Sequence, residues 1–207
     1  MAESVSNGVP LISGTIILAS SLIIVYIAGM ILFPYDLLRQ SPEVLQLLGE
    51  NERVLKGEIY RFFSAIFIHA NLVHLGSNIL FLIIFGIRLE ELKSTPYLIA
   101  GFIFCGLAGN VASLIWFMLE ATTTSVGSSG AIFGLLGIVS FLVQGKTKHE
   151  RRQSLYALII FFLITIGQDT NFIAHLFGLL GGILFVWFDV KRNQIFATMR
   201  SKFIQSR

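Results

Sequence analysis

The sequence GSSGAIFGLLG at residues 127–137 decides how the chain folds. Two serines lie between glycines, and an apolar run continues to residue 143. Because the hydroxyl-rich and glycine-containing residues 122–127 are typical of a loop, Ser128 or Ser129 is expected to open a helix. The first N–H groups of a helix lack intrahelical partners and lie at the positive end of its dipole. A serine at this position therefore either caps the helix or acts as a nucleophile beside donors suited to an oxyanion.

The composition is that of a membrane protein. Of the 207 residues, 55% are hydrophobic and 13% are charged, whereas soluble domains carry about 25% charged residues. Several apolar runs approach or exceed the roughly 18 residues needed to cross a bilayer. The single cysteine, Cys105, lies in such a run, which excludes a disulfide within the chain and any CxxC metal motif. We therefore predict a polytopic membrane protein one domain long, and nothing in the sequence indicates a metal or cofactor.

The hydrophobic runs predict an all-α polytopic membrane protein, a bundle of six transmembrane helices with a long, partly helical first loop. Residues 1–10 form a short N-terminal tail and residues 11–189 the six-helix core. A short helix is expected at residues 41–49, inside the first loop. Residues 190–207 form either a basic amphipathic helix on an anionic membrane surface or a frayed polar tail. The predicted spans are residues 11–34, 72–89, 97–119, 129–143, 155–167 and 172–188.

The fourth span is short for a bilayer. Its residues 129–143 give about 22 Å of helix, at 1.5 Å per residue, against a hydrocarbon core of about 30 Å. Ser129 is therefore expected to lie below the membrane surface. Irregular backbone at that depth is tolerated only around a protein-lined or water-filled cavity.

The basic residues predict how the chain is oriented. The end of the second span, the loops after the second and fourth spans and the C-terminal tail together hold 11 of the 15 lysines and arginines. The positive-inside rule therefore places both termini in the cytoplasm. Ser129 and His175 then lie toward the outer leaflet of a multi-pass protein.

Three polar groups inside the predicted spans require an explanation: His74 with Asn78, Ser129, and His175. Polar and ionisable residues in a bilayer are expensive and mark functional sites. All three groups begin their spans at the same end, so they can converge at one depth. His74 and Asn78 are four residues apart and share one face of the second span.

Two pairs of glycines favour close contact between the fourth and sixth spans. Gly130 and Gly134 follow Ser129, and Gly178 and Gly182 follow His175, each pair with the GxxxG spacing. Small residues at this spacing allow helix backbones to approach closely. Close approach is what a hydrogen bond of about 2.6–3.2 Å between a serine and a histidine requires.

On these residues the sequence resembles the rhomboid family of intramembrane serine proteases. The resemblance covers about residues 60–189, nearly all of the predicted core. Tyr60-Arg61 in the first loop and Glu90 after Gly86 match the family more loosely. The three motifs that carry the resemblance are His69-x4-His74-x3-Asn78, Gly127-Ser128-Ser129-Gly130 and Ala174-His175-x2-Gly178-x3-Gly182.

The resemblance implies roles for single residues. Ser129 would be the nucleophile and His175 its general base, in a dyad without an aspartate. The oxyanion hole would comprise His74, Asn78 and the backbone N–H of Ser129, with the N–H of Ser128 as a further donor. His69 either supports the site or is an interfacial histidine. The family often has a tyrosine where Phe133 stands and usually has a tryptophan in place of Tyr60. The supporting positions are His69, Phe133, Gly127, Gly130, Gly178 and Gly182.

The implied activity is that of a serine endopeptidase that cleaves transmembrane segments near the outer leaflet through an acyl-enzyme. Its partners would be a transmembrane protein substrate and the lipid bilayer, with no nucleic acid and no metal. The six-span core resembles that of prokaryotic members, located in the cell membrane. Three alternatives stay open: an inactive rhomboid-like protein that binds membrane helices, a small-solute transporter or channel, and a metal site formed by His69, His74 and His175. The sequence has no HExxH motif that would favour the metal site.

Overall fold

Helices form nearly all of the described part of the chain. The computed structural model describes residues 13–33, 51–120, 126–143, 147–149, 152–153, 155–156, 159–160 and 171–205. Over these residues the backbone forms no β-sheet, so the prediction of an all-α fold is confirmed. The helices are α1 (Gly14–Leu32), α2 (Asn51–Leu55), α3 (Arg61–Ser64), α4 (Leu72–Leu92), α5 (Thr95–Glu120), α6 (Ser129–Val143) and α7 (Phe172–Gln205), with a 3-10 turn at Ala65–Phe67.

Four of these helices are long and apolar enough to cross a membrane, namely α1, α4, α5 and the part of α7 from Phe172 to Met199. Helix α6 is equally apolar but shorter, and its bounds are those predicted for the fourth span. The five helices correspond to all the predicted spans except the fifth. That span, at residues 155–167, lies outside the described residues apart from positions 155–156 and 159–160, and so does the helix predicted at residues 41–49.

Helix α6 lies at the centre of the bundle. It packs most extensively against α7, and α5 packs against both. Helix α1 packs mainly on α4, at the side of the bundle. The central position of α6 follows from its sequence, because a helix that is hydrophobic all round is stable only when it is surrounded. Eleven of its 15 residues are buried.

Small residues bring α5, α6 and α7 into backbone contact. A Cβ added to Gly178 would overlap the carbonyl oxygen of Gly130, and one added to Gly182 would overlap that of Gly134. On its other side, Gly134 faces Cys105 of α5. The close approach predicted from the two glycine pairs is therefore present in the structure.

Glu90 fixes the start of α1 at the end of the bundle opposite to Ser129. Its carboxylate accepts hydrogen bonds from the backbone N–H groups of Gly14 at 2.6 Å and Thr15 at 3.2 Å. It also accepts from the hydroxyls of Thr15 at 2.7 Å and Thr95 at 2.6 Å. Because the first N–H groups of a helix lack partners and attract negative charge, one carboxylate stabilises the start of α1 and joins it to α4 and α5.

Helix α7 extends beyond the end predicted for the last span. We expected a span at residues 172–188, followed by a basic amphipathic helix or a frayed polar tail at residues 190–207, and α7 continues without interruption to Gln205. Asp189 does not end the helix, because Lys93 and Arg192 each pair with its carboxylate at 2.9 Å. The continuation exposes apolar residues of the predicted tail face, namely Ile195, Phe196 and Met199.

Replacing Gly178 with alanine is expected to destabilise the protein, because the added methyl would overlap the carbonyl of Gly130, and backbone cannot rotate aside as a side chain can. Overpacking of this kind costs about 1–3 kcal/mol, and each kcal/mol lowers the unfolding temperature by about 2–4 °C. The matched control is Gly76→Ala in α4, where an added Cβ meets nothing within 4 Å and helix propensity favours alanine. Thermal unfolding in detergent measures both variants. Equal unfolding temperatures would contradict the importance of the glycine contact.

Candidate active site

Ser129 and His175 lie side by side at one end of the bundle. Ser129 is the first residue of α6, and His175 lies in the first turn of α7. Ser129 Oγ and His175 Nε2 are 2.8 Å apart, which is a hydrogen-bonding distance. When Nε2 is unprotonated it accepts from the hydroxyl, and this is the arrangement that a general base requires. The structure thus brings together the two residues predicted to form the dyad.

The ring of Phe133 stacks on the imidazole of His175. The two ring centroids are 4.5 Å apart with 22° between the ring planes, and Phe133 is completely buried. Because Ser129 and Phe133 are four residues apart, they share one face of α6. This face therefore provides both the hydroxyl and the surface against which the imidazole rests.

His69 holds Ser128, the neighbour of Ser129. His69 Nε2 lies 3.2 Å from Ser128 Oγ, and His69 Nδ1 lies 3.2 Å from the carbonyl oxygen of Phe67. Because a carbonyl only accepts, Nδ1 carries the proton and Nε2 accepts from the Ser128 hydroxyl. Burial lowers the pKa of His69 to about 3, with His74 as a smaller cause, so the ring is neutral. His69 is thus a buried contact between the first loop and Ser128, directly before α6.

His74 and Asn78 flank Gly127, two residues before Ser129. A Cβ added to Gly127 would lie 2.7 Å from His74 Cε1 and 3.7 Å from Asn78 Nδ2. The φ angle of Gly127 is 112°, a conformation that residues with a Cβ rarely adopt. The N–H of Gly127 donates to the carbonyl of Ala65 at 2.8 Å. Glycine is therefore required here by its conformation and by the space that the histidine occupies.

The amide nitrogen of Asn78 is a buried donor that has no hydrogen-bond partner among the described residues. The residue as a whole is 4% exposed. A buried donor left unpaired costs about 1–3 kcal/mol, and each such group in a native structure requires an explanation, such as a bound water or a catalytic role. Its position beside Gly127 leaves the nitrogen available to an acceptor that enters the site.

Two asparagines outside the predicted site cap the helices that carry its histidines. Asn71 Oδ1 accepts from the N–H of His74 at 2.8 Å. Asn171 Oδ1 accepts from the N–H of Ala174, the residue before His175, at 3.0 Å. An asparagine directly before an apolar run is a helix N-terminal signal. That signal in the sequence is sufficient to identify both caps.

The geometry gives no support to the three-histidine metal site. Over the residues that the structure describes, no group of three or more histidine, cysteine, aspartate or glutamate side chains could hold a metal ion. The rings of His69 and His74 meet edge to face with centroids 5.1 Å apart. Both ring nitrogens of His69 already have hydrogen-bond partners, in Phe67 and Ser128.

Residues 56–192, which contain all the predicted site residues, match the family model of the Rhomboid domain. The chain belongs to the rhomboid family. Membership of this family, together with the apolar helices, makes it an integral membrane protein with an all-α rhomboid bundle.

Similar curated rhomboids come from a plant and from a bacterium. Rhomboid-like protein 11, chloroplastic, of Arabidopsis thaliana is 39% identical over 149 residues, which are 62% of this chain and 51% of that protein. The putative rhomboid protease YdcA of Bacillus subtilis is 30% identical over 151 residues, 70% of this chain and 75% of that protein. Rhomboid protease GluP of Bacillus subtilis is 28% identical over 149 residues, 69% of this chain and 29% of that protein. This rhomboid thus spans about half the length of the first relative, and the names of the other two support a protease at the level of the family.

The stability of this rhomboid is expected to fall as the pH drops below about 6.5, partly because of His69. The unfolded chain takes up a proton near the ordinary histidine pKa of 6.5, whereas the folded state resists protonation down to about 3. The free energy of unfolding therefore falls by up to about 1.4 kcal/mol for each pH unit below about 6.5. Unfolding temperatures at pH 7.5 and 5.5 measure it, and His69→Gln should lose less stability between these values than the wild type. An equal loss in both proteins would refute the contribution of His69.

Proposed function

We propose that this rhomboid is an intramembrane serine endopeptidase in which Ser129 and His175 form the catalytic dyad. The observation that carries the proposal is the 2.8 Å distance between Ser129 Oγ and His175 Nε2. The stacked ring of Phe133 supports it, and so does the glycine contact between α6 and α7. A nucleophile and its base must be held in hydrogen-bonding geometry by their surroundings, and packed helices hold side chains more rigidly than loops do.

In the first proposed step, Ser129 Oγ attacks the carbonyl carbon of the substrate peptide while its proton passes to His175 Nε2. The carbonyl oxygen becomes an oxyanion. Its proposed donors are His74, Asn78 and the backbone N–H of Ser129, with the N–H of Ser128 as a further donor. The unpaired amide nitrogen of Asn78 supports this role. Each preorganised donor of this kind contributes about 3–4 kcal/mol to stabilisation of the transition state.

In the second proposed step, His175 gives the proton to the leaving nitrogen as the peptide C–N bond breaks, and the acyl group stays on Ser129 as an ester. Water then attacks this ester with His175 as the base, which releases the carboxylate product and restores the hydroxyl. Ser129 is partly exposed, whereas Ser128 beside it is completely buried. This difference supports the access of water to the proposed nucleophile.

We propose that the substrate is a transmembrane segment of another membrane protein, cleaved near the outer leaflet. Helix α6 is about 22 Å long, so its first residue lies below the surface of a hydrocarbon core of about 30 Å. The basic residues Arg88, Lys93 and Lys191 lie at the opposite end of the bundle from Ser129, and the positive-inside rule places that end in the cytoplasm.

The Ser129→Ala variant is expected to lose all peptide-bond cleavage and all labelling by a fluorophosphonate probe, because the probe reacts only with an activated serine. In-gel fluorescence of the purified protein in liposomes measures the labelling. The matched control is Ser21→Ala on α1, whose hydroxyl bonds the carbonyl of Ile17 in its own helix at 2.8 Å, and it should label like the wild type. Labelling of Ser129→Ala would refute the assigned nucleophile.

A folded wild type that is neither labelled nor active would favour the inactive helix-binding alternative, and solute flux into the liposomes would favour a channel.

The Asn78→Ala variant is expected to lower kcat by about 10²-fold with little change in KM, because the proposed hydrogen bond forms only in the transition state. Its unfolding temperature should stay near the wild-type value, since Asn78 Nδ2 has no hydrogen bond to lose within the part of the chain that the structure describes. Steady-state kinetics with a transmembrane reporter, measured beside thermal unfolding, test both expectations. An unchanged kcat would exclude Asn78 from the oxyanion hole.

A further inference from the structure

Asn171 joins the start of α7 to α5. Its Oδ1 caps α7 by accepting from the N–H of Ala174 at 3.0 Å. Its Nδ2 donates to Ser113 Oγ at 2.6 Å. Ser113 lies about two turns before the end of α5 and is completely buried. A single side-chain amide therefore caps one helix with its oxygen and is anchored to a second helix through its nitrogen.

The same asparagine supports the backbone of His175. The N–H of His175 donates to the carbonyl oxygen of Asn171 at 3.2 Å. The carbonyl of Ala174 is packed against two glycines of neighbouring helices. An added Cβ would lie 2.8 Å from this oxygen at Gly109 and 3.1 Å from it at Gly130. The peptide between Ala174 and His175 is therefore fixed by packing at its carbonyl and by Asn171 at the adjoining N–H groups.

We propose that Asn171, through its hydrogen bond to Ser113, is a positioning residue for the general base His175. This inference rests on the proposed function of Ser129 and His175. Packing of the Ala174 carbonyl on Gly109 and Gly130 holds this turn on one side, but it gives no partner to the N–H groups at the start of α7. The first N–H groups of a helix lack intrahelical partners, and helix ends fray. The bond from Asn171 to Ser113 restrains this fraying at the turn that carries the base.

The expected consequence is kinetic. Proton transfer from Ser129 requires the short distance to His175 Nε2, and a displacement of about 1 Å can lower the rate about 10²-fold. Loss of the bond to Ser113 should therefore lower kcat by about tenfold to a hundredfold and leave KM nearly unchanged. The rate of labelling by a small fluorophosphonate should fall by a similar factor, because labelling depends on the dyad and not on the docking of a membrane substrate.

Two variants break the bond from opposite sides. Ser113→Ala removes the acceptor and leaves the cap of α7 intact. Asn171→Ser keeps a capping oxygen but lacks the amide that reaches Ser113. Both changes remove the same hydrogen bond. The double variant should therefore lose no more activity than whichever of the two single variants is less active. If Ser113→Ala does not fold, Ser113→Cys keeps the shape with a weaker acceptor and should show a smaller loss.

The matched control is Lys93→Gln, which removes the 2.9 Å ion pair with Asp189 near the middle of α7, about four to five turns after Asn171. This change loosens the attachment of the same helix far from the site. It should lower the unfolding temperature while kcat, measured well below unfolding, stays within about twofold of the wild type. If Asn171 only stabilised the fold, the loss of activity in every variant would instead parallel the decrease in its unfolding temperature.

The outcomes separate this inference from the proposed function. A non-additive loss of kcat in the Ser113 and Asn171 variants, absent from Lys93→Gln, supports the positioning role. Wild-type labelling of folded Ser113→Ala and Asn171→Ser overturns it, and so does a loss of activity proportional to the loss of stability. If Ser129→Ala is unlabelled and these variants react like the wild type, the inference alone fails. If Ser129→Ala is labelled or the wild type is inert, both fail.

Discussion

Helices α6 and α7 are in backbone contact, and this contact sets the geometry of the bundle around Ser129 and His175. Because lipid tails are as apolar as the helices, burial of apolar surface does not drive helices together inside a bilayer. Close packing between the helices has to hold them together instead. Gly178 against the carbonyl of Gly130 provides that packing. Because Ser129 directly precedes Gly130 and His175 lies about one turn before Gly178, the separation of the two backbones decides whether the hydroxyl reaches the imidazole.

Hydrogen bonds to residues of the first loop hold Gly127 and Ser128, directly before α6, in place. The N–H of Gly127 bonds the carbonyl of Ala65, and His69 bonds the hydroxyl of Ser128. Asn110 of α5 fixes the other side of the first loop by donating to the carbonyl of Phe62 at 2.8 Å. These contacts determine where the first residue of α6 begins.

The polar groups divide between the two ends of the bundle. Glu90 and Asp189 satisfy backbone N–H groups and basic side chains at one end, and their bonds fix the helices to one another. At the other end, Asn78 Nδ2 is buried without a partner among the described residues. An unpaired donor opposes folding, and this nitrogen is the one that the proposed oxyanion hole would use.

The amino-acid sequence alone was enough to predict the five spans that the structure describes and the end of the bundle where the polar residues lie, because each apolar run shows where a helix begins and each polar group begins its run. The bounds of α6 were predictable for this reason, and so was the close contact of α6 with α7. Which polar atoms meet became visible only in the folded chain. Ser129 and His175 are 46 residues apart and Ser128 and His69 are 59 apart, and their contacts depend on helix rotations that periodicity does not determine. The unbroken course of α7 through Asp189 has the same physical reason: Asp189 is tolerated inside the helix by Lys93, 96 residues earlier in the chain.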